Sequence, residues 1–244
     1  MGVEANFGVI DATGAGAYFE TNNHSYIRFD LKDSPDDMLV RTNYSHAGRP
    51  DEGYGFVREA NAECLLAPYA ENKEITPELL TEKISRTFYH DGRKKDYTMS
   101  GDAALLDEDF IPRYKSTATI AIEGCRPLAE GEKVDPDMVK KQYIMWTGLG
   151  YPPVSRIRAV RISSEGVDPD LRGLQPNGHS RLGDEAVAKR GKVFTKKGKK
   201  LYINLPLLYN EQGTGYAQEA IKENHLTYQK ETEARDGGSN GAAQ

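Results

Sequence analysis

Sulfur is scarce in this chain. Its 244 residues include two cysteines, Cys64 and Cys125, and no Cys-x-x-Cys pair. That excludes the common zinc and dithiol-redox signatures. Cys64, within Ala-Glu-Cys-Leu-Leu, reads as a small apolar packing residue. Cys125 follows a strand pattern and has Arg126 beside it, so it is either a surface thiol or one whose thiolate the cation favours. His24, His46, His90, His179 and His225 are dispersed, with no pair at i, i+4 on a helix. No metal and no cofactor are therefore predicted. Apolar runs are short, and none approaches the roughly 18 residues needed to cross a bilayer. A charged-then-apolar leader is not visible, which leaves the compartment open. Positive charge is not in excess either. The formal net charge is −5, which argues against a general nucleic-acid binder.

What is present fits a folded α+β protein. Hydrophobic residues make up 38% and charged residues 28%, a balance that supports a core and excludes wholesale disorder. The pattern from Glu4 to Tyr44 organises the rest. Four short apolar or alternating runs are separated by turn chemistry, as in an antiparallel meander. The turns are Asp11 to Gly16, Asn22-Asn23-His24, and Asp33 to Asp37 with Pro35. Alternation puts Ile27 and Phe29 on one face of the third run, and Tyr26 and Arg28 on the other.

Further along, Ser45 to Asn61 is glycine-rich and polar and reads as a surface loop near a site mouth. Thr76-Pro77 opens a helix, with Leu80, Ile84 and Phe88 on one face and His90-Asp91-Gly92 as its stop. Ser116 to Glu123, Gln142 to Thr147 and Ile157 to Ile162 alternate as strands, the first two pairing. Asp168 to Arg181 reads as a loop. Gly183 to Lys200 carries seven Lys and Arg residues, the first of them Lys189, with few acids. They suit a patch for an anionic surface or a solvated turn with basic edges, and no aromatics interleave them for base stacking. Ala217 to Ala234 has helical charge spacing. Residues 1–234 are thus one domain, with a Gly, Ser, Asn and Ala tail over 235–244 that is expected to be disordered.

Several words, in order, carry a resemblance. They are Ala5-Asn6-Phe7-Gly8-Val9-Ile10-Asp11-Ala12, Ala17-Tyr18-Phe19-Glu20, Val40-Arg41-Thr42-Asn43-Tyr44, Pro112-Arg113-Tyr114, Met145-Trp146-Thr147 through Gly150-Tyr151-Pro152-Pro153, and Leu208-Tyr209-Asn210 through Gly213-Thr214-Gly215-Tyr216. Together they resemble the C-terminal part of an N-terminal-nucleophile (Ntn) hydrolase. The branch is the linear-amide C–N hydrolases: choloylglycine hydrolases, penicillin V acylase and the acyl-CoA:6-aminopenicillanic-acid acyltransferase (peptidase C45-like) group.

The resemblance implies an αββα sandwich of antiparallel sheets, incomplete at its N-terminus in this chain. It also implies hydrolysis or acyl transfer on a small-molecule amide through a cysteine acyl-enzyme, with no cofactor. In that family the nucleophile is a Cys at the mature N-terminus, whose own α-amine takes the thiol proton. Here the chain begins Met-Gly-Val-Glu, and removing Met1 exposes Gly2, which bears no nucleophile. The expectation is that an N-terminal half, on the same parent chain or a separate polypeptide, supplies it.

Carried over by motif, Asn43 would donate to the tetrahedral oxyanion and Arg113 would be the active-site arginine, although Lys115 departs from the pattern. Tyr44, Trp146 and Tyr151 are candidates to wall an acyl pocket, each also readable as core. Ser116 and Thr117 are set aside as nucleophiles because no His stands near them in sequence. A non-catalytic binding or assembly module on the same scaffold is the alternative.

Overall fold

A computed structural model describes residues 5–10, 16–21, 26–34, 38–42, 55–107, 110–123, 130–133, 144–161 and 166–236. The chain is mixed α and β, and every strand pair among the described residues is antiparallel. β1 (Ala5–Ile10), β2 (Gly16–Thr21) and β3 (Tyr26–Asp30) form the expected meander, in that order. The fourth run does not continue it: residues 38–42 are not a strand. Thr42 instead bonds to the next helix, its N–H donating to Glu59 Oε2 at 3.1 Å and its hydroxyl to the Gly55 carbonyl at 2.7 Å. Those bonds take the place of ladder bonds to β3.

Helix α1 (Phe56–Glu71) begins inside the stretch that the sequence assigns to a loop. Its apolar positions lack a clean stripe, and it buries Glu59 and Asn61. Asn61 serves as a bracket, its Oδ1 accepting from the Asp91 N–H at 2.7 Å. Cys64 is exposed on α1, with Sγ 3.6 Å from the Tyr89 hydroxyl, which corrects its assignment as a packing residue. Cys125 lies outside the described residues.

The Thr76 cap forms as expected, its hydroxyl accepting from the Leu79 N–H at 3.1 Å. The helix it opens is wide over Leu79–Lys83, tightens over Ile84–Arg86 and ends there, short of the expected stop. The chain is drawn off by β4 (Tyr89–His90), paired with β5 (Lys95–Asp96). β6 (Leu105–Leu106) joins a later hairpin. β7 (Ala118–Ile122), β8 (Met145–Leu149) and β9 (Ile157–Val160) form a second meander with β8 central; the sequence predicts the pairing of the first two and leaves the partner of the third open.

The basic stretch resolves into structure. Helix α2 (Arg181–Val193) is capped by Ser180, whose hydroxyl accepts from the Gly183 N–H, and it buries Leu182, Ala186 and Val193. β10 (Phe194–Lys197) and β11 (Lys200–Ile203) then form a hairpin, with β6 beside β11. Gly198, at φ +61°, makes the turn, a conformation that glycine adopts without steric cost. Helix α3 (Tyr216–Asp236) closes the described chain. No helix among the described residues is long and apolar enough to cross a membrane.

Two apolar clusters hold these elements. The larger gathers Phe88, Phe110, Tyr151, Val193, Leu205 and Leu208, among others, around the β10–β11 hairpin. The smaller sets Ala121, Trp146 and Ile157 from the second meander against Tyr228 of α3. The indole and phenol rings stack there with centroids 4.2 Å apart. α3 therefore covers one face of the β7–β9 sheet. On the opposite face Ile120 and Ile122 are 53% and 72% exposed. The register aligns Met145 and Val160 with Ile122 on that face, both half-buried.

An ionic brace fixes α2 to the sheet. Asp170 accepts from Arg181 Nε at 2.7 Å and from Arg158 Nη2 at 3.2 Å. The hydrogen bond from Arg181 is the main reason that its carboxyl is pushed down to about 2. Since the folded value lies below the unfolded one, the brace stabilises above about pH 4 and its contribution is lost as pH falls through about 2. Solvent screening holds the effect to about 1 kcal/mol or less. Urea midpoints of the wild type and Asp170→Asn should differ at neutral pH and converge on acidification.

Candidate functional site

The approach to β7 is a tight turn. The Ser116 N–H donates to the Arg113 carbonyl at 2.9 Å, and the Arg113 N–H to Ser116 Oγ at 3.2 Å. It brings Ser116 and Thr117 beside the end of β8, where the Gly150 N–H donates to the Thr117 carbonyl at 2.7 Å. Gly150 has φ +83°, and a Cβ there would stand 2.7 Å from Ala186 Cβ. Glycine is thus what lets α2 lie directly on the strand end.

Between these segments is a cavity of about 530 Å³. Ser116 and Thr117 form one wall, Leu149 and Gly150 the floor, and α2 the other wall through Asp184, Val187 and Arg190. His179 sits at its rim, with Nδ1 2.7 Å from Asp184 Oδ1. Asn177 donates to the other carboxylate oxygen at 3.0 Å. The bonds from Asn177 and His179, in that order of importance, hold the Asp184 carboxyl below its ordinary value.

Arg190 is held by Tyr114. One guanidinium nitrogen donates to the Tyr114 carbonyl at 2.8 Å, and the guanidinium lies 4.4 Å from the centroid of the Tyr114 ring. Its Nε is buried and has no hydrogen-bond acceptor among the described residues.

Behind this corner sits Asp107, almost wholly buried. Its carboxylate accepts from the Tyr114 N–H at 3.2 Å and lies 3.8 Å from Arg113 Nε. Tyr151 is fully buried, and its hydroxyl has no partner among the described residues. Burial, with the Asp107 charge second, pushes the phenol well above its ordinary value. Arg113 thus stands near the Asp107 carboxylate, whose charge also acts on the Tyr151 phenol. Trp146 is elsewhere, 3% exposed in the smaller cluster, with its indole N–H donating to Glu123 at 3.0 Å. Neither Trp146 nor Tyr151 lines the cavity. Asn43 and Tyr44 lie outside the described residues.

The cavity itself was not visible from sequence, because its walls come from three separated segments. His179 and Asp184 looked like members of a loop and a basic run. The fold sets them across the Ser180 cap, facing Ser116 and Thr117, the hydroxyls set aside for want of a nearby His. The signal was a His just before a Ser helix cap with an Asp in the first turn. Among the described residues no group of three or more His, Cys, Asp or Glu is placed to hold a metal.

Comparisons of the chain with protein-family models, with curated proteins and with solved structures found no match.

Proposed function

We propose that this chain is the scaffold portion of an Ntn-type amide hydrolase or acyltransferase acting on the C–N bond of a small linear amide. Its nucleophilic cysteine belongs to a further N-terminal segment. One observation carries the reading beyond the ordered sequence words. The β7–β9 sheet has a helix on one face and solvent-exposed Ile120 and Ile122 on the other. In an αββα sandwich each sheet has helices on one face and a second sheet on the other. The exposed isoleucines of the edge strand β7 suit a point of attachment for such a partner layer.

In this reading the cysteine's α-amine takes the thiol proton and the thiolate attacks the amide carbonyl. The oxyanion so formed accepts from the Asn43 amide, a neutral donor that brings no second charge to desolvate. Collapse breaks the C–N bond, and the departing amine takes the proton from the ammonium. Water, or an acceptor amine in a transferase, then attacks the acyl-enzyme. Arg113 supplies a cation near the reacting centre, its tie to Asp107 being loose.

The test is to extend the reading frame upstream and assay the joined polypeptide on N-acyl amides. A cysteine that becomes the mature N-terminus, and activity abolished when it is replaced by alanine, is the expected result. Asn43→Ala should then lower kcat by about 10²–10³. An upstream frame without such a cysteine sinks the enzyme reading and leaves the binding module.

A further inference from the structure

We propose that the cavity between β7, β8 and α2 binds a small monocarboxylate with an apolar body. Three observations converge on that chemistry. The first is Arg190, the cation of the cavity wall, which makes no ion pair among the described residues and whose Nη2 has no acceptor among them. A guanidinium with a free terminal N–H forms a charge-assisted hydrogen bond to a carboxylate, stronger than one to a neutral acceptor.

The second is the charge balance. Asp184 is already engaged by His179 and Asn177. With His179 protonated, that pair is neutral and Arg190 leaves one net positive charge. With His179 neutral, Asp184 opposes a second negative charge. The single positive charge of the first state balances a monoanion, and a phosphate dianion exceeds the positive charge in either state.

The third is the lining. Leu149 and Val187, the latter 48% exposed, flank the charged end with apolar surface, while Ser116 and Thr117 offer hydroxyls opposite. A volume of about 530 Å³ lies within the range of small-molecule sites. The inference is independent of the amide-cleavage reading, because it concerns binding by this chain without turnover.

Ligand-observed saturation-transfer NMR on this chain, with hexanoate, hexanamide and inorganic phosphate at about millimolar concentrations, reads it directly. Hexanoate should bind, with hexanamide and phosphate each about tenfold weaker or more. Arg190→Gln should lower hexanoate affinity to the level of hexanamide. Val187→Trp fills the cavity from an exposed position, so it should remove binding while leaving the melting temperature unchanged. If Arg190→Gln does not fold, Val187→Trp decides alone. No hexanoate signal, equal binding of hexanamide, tighter binding of phosphate, or hexanoate binding undiminished in folded Val187→Trp would each overturn the proposal.

Discussion

Arg86→Met should destabilise the chain by about 3–5 kcal/mol at neutral pH, as expected when one partner of a buried ion pair is removed. Arg86 is 1% exposed and is the chief cross-link of the interior. Its Nε donates to the Thr81 carbonyl at 2.9 Å, and its two terminal nitrogens to the Pro153 and Ser155 carbonyls at 2.7 and 2.8 Å. Glu82 Oε2 lies 3.3 Å from Nε. Methionine fills the volume but leaves three buried carbonyls without this donor and Glu82 without its cation.

The pH dependence identifies the cause. Burial already raises the Glu82 carboxyl, and Arg86 is the largest influence opposing it. Without Arg86 the folded value rises further above the unfolded one. The variant then regains stability as pH falls through that folded value, because the folded state binds the proton more readily. Urea midpoints measured from neutral to mildly acidic pH should show this recovery, and Glu82→Gln added to Arg86→Met should reproduce it at neutral pH. A loss below about 1 kcal/mol would show that water replaces the guanidinium without cost.

Gly215→Ala should be nearly as damaging for a different reason. A Cβ there would lie 2.1 Å from the Leu208 carbonyl oxygen and 2.7 Å from the Tyr209 nitrogen. Both are backbone atoms, so no rotamer change relieves the clash. The surrounding segment is also fixed, with Gln218 accepting from the Asn210 and Gly215 N–H groups, each at 3.0 Å. Overpacking of this kind costs at least about 3 kcal/mol, a melting temperature lower by roughly 6–12 °C for a chain of this size. Gly191→Ala is the matched control. It lies in α2 with nothing within 4 Å of its added methyl, and alanine favours a helix interior by about 1 kcal/mol. Calorimetric scans of the two variants should move in opposite directions.

Strand patterns were the most legible part of the sequence. β1–β3 have apolar runs and turn chemistry, and β7 and β9 have alternation, that local spacing reveals, and α3 has charged residues at helical intervals. Helices α1 and α2 were obscured for physical reasons. α1 faces the interior partly with Glu59 and Asn61, so its buried face is not apolar. α2 needs only Leu182, Ala186 and Val193 inside, and the lysines around them dominate the composition. The missing fourth strand is a tertiary effect, since Thr42 finds its partners on α1 and on Gly55 just before it. The same holds for the site. Arg113 was singled out by a sequence word; its contact with Asp107 and the His179–Asp184 pair are local, and only the return of α2 onto the ends of β7 and β8 sets that pair in one cavity with Ser116 and Thr117.

Helix α3 has a position that constrains how this protein can change. Ala217 belongs to one apolar cluster and Tyr228 to the other, and between them Asn224 accepts from the Ile157 N–H and donates to Glu82. One rigid rod thus threads both hydrophobic reservoirs and is pinned midway. A substitution that displaces α3 at Ala217 is therefore expected to disturb the stacking of Tyr228 on Trp146 as well.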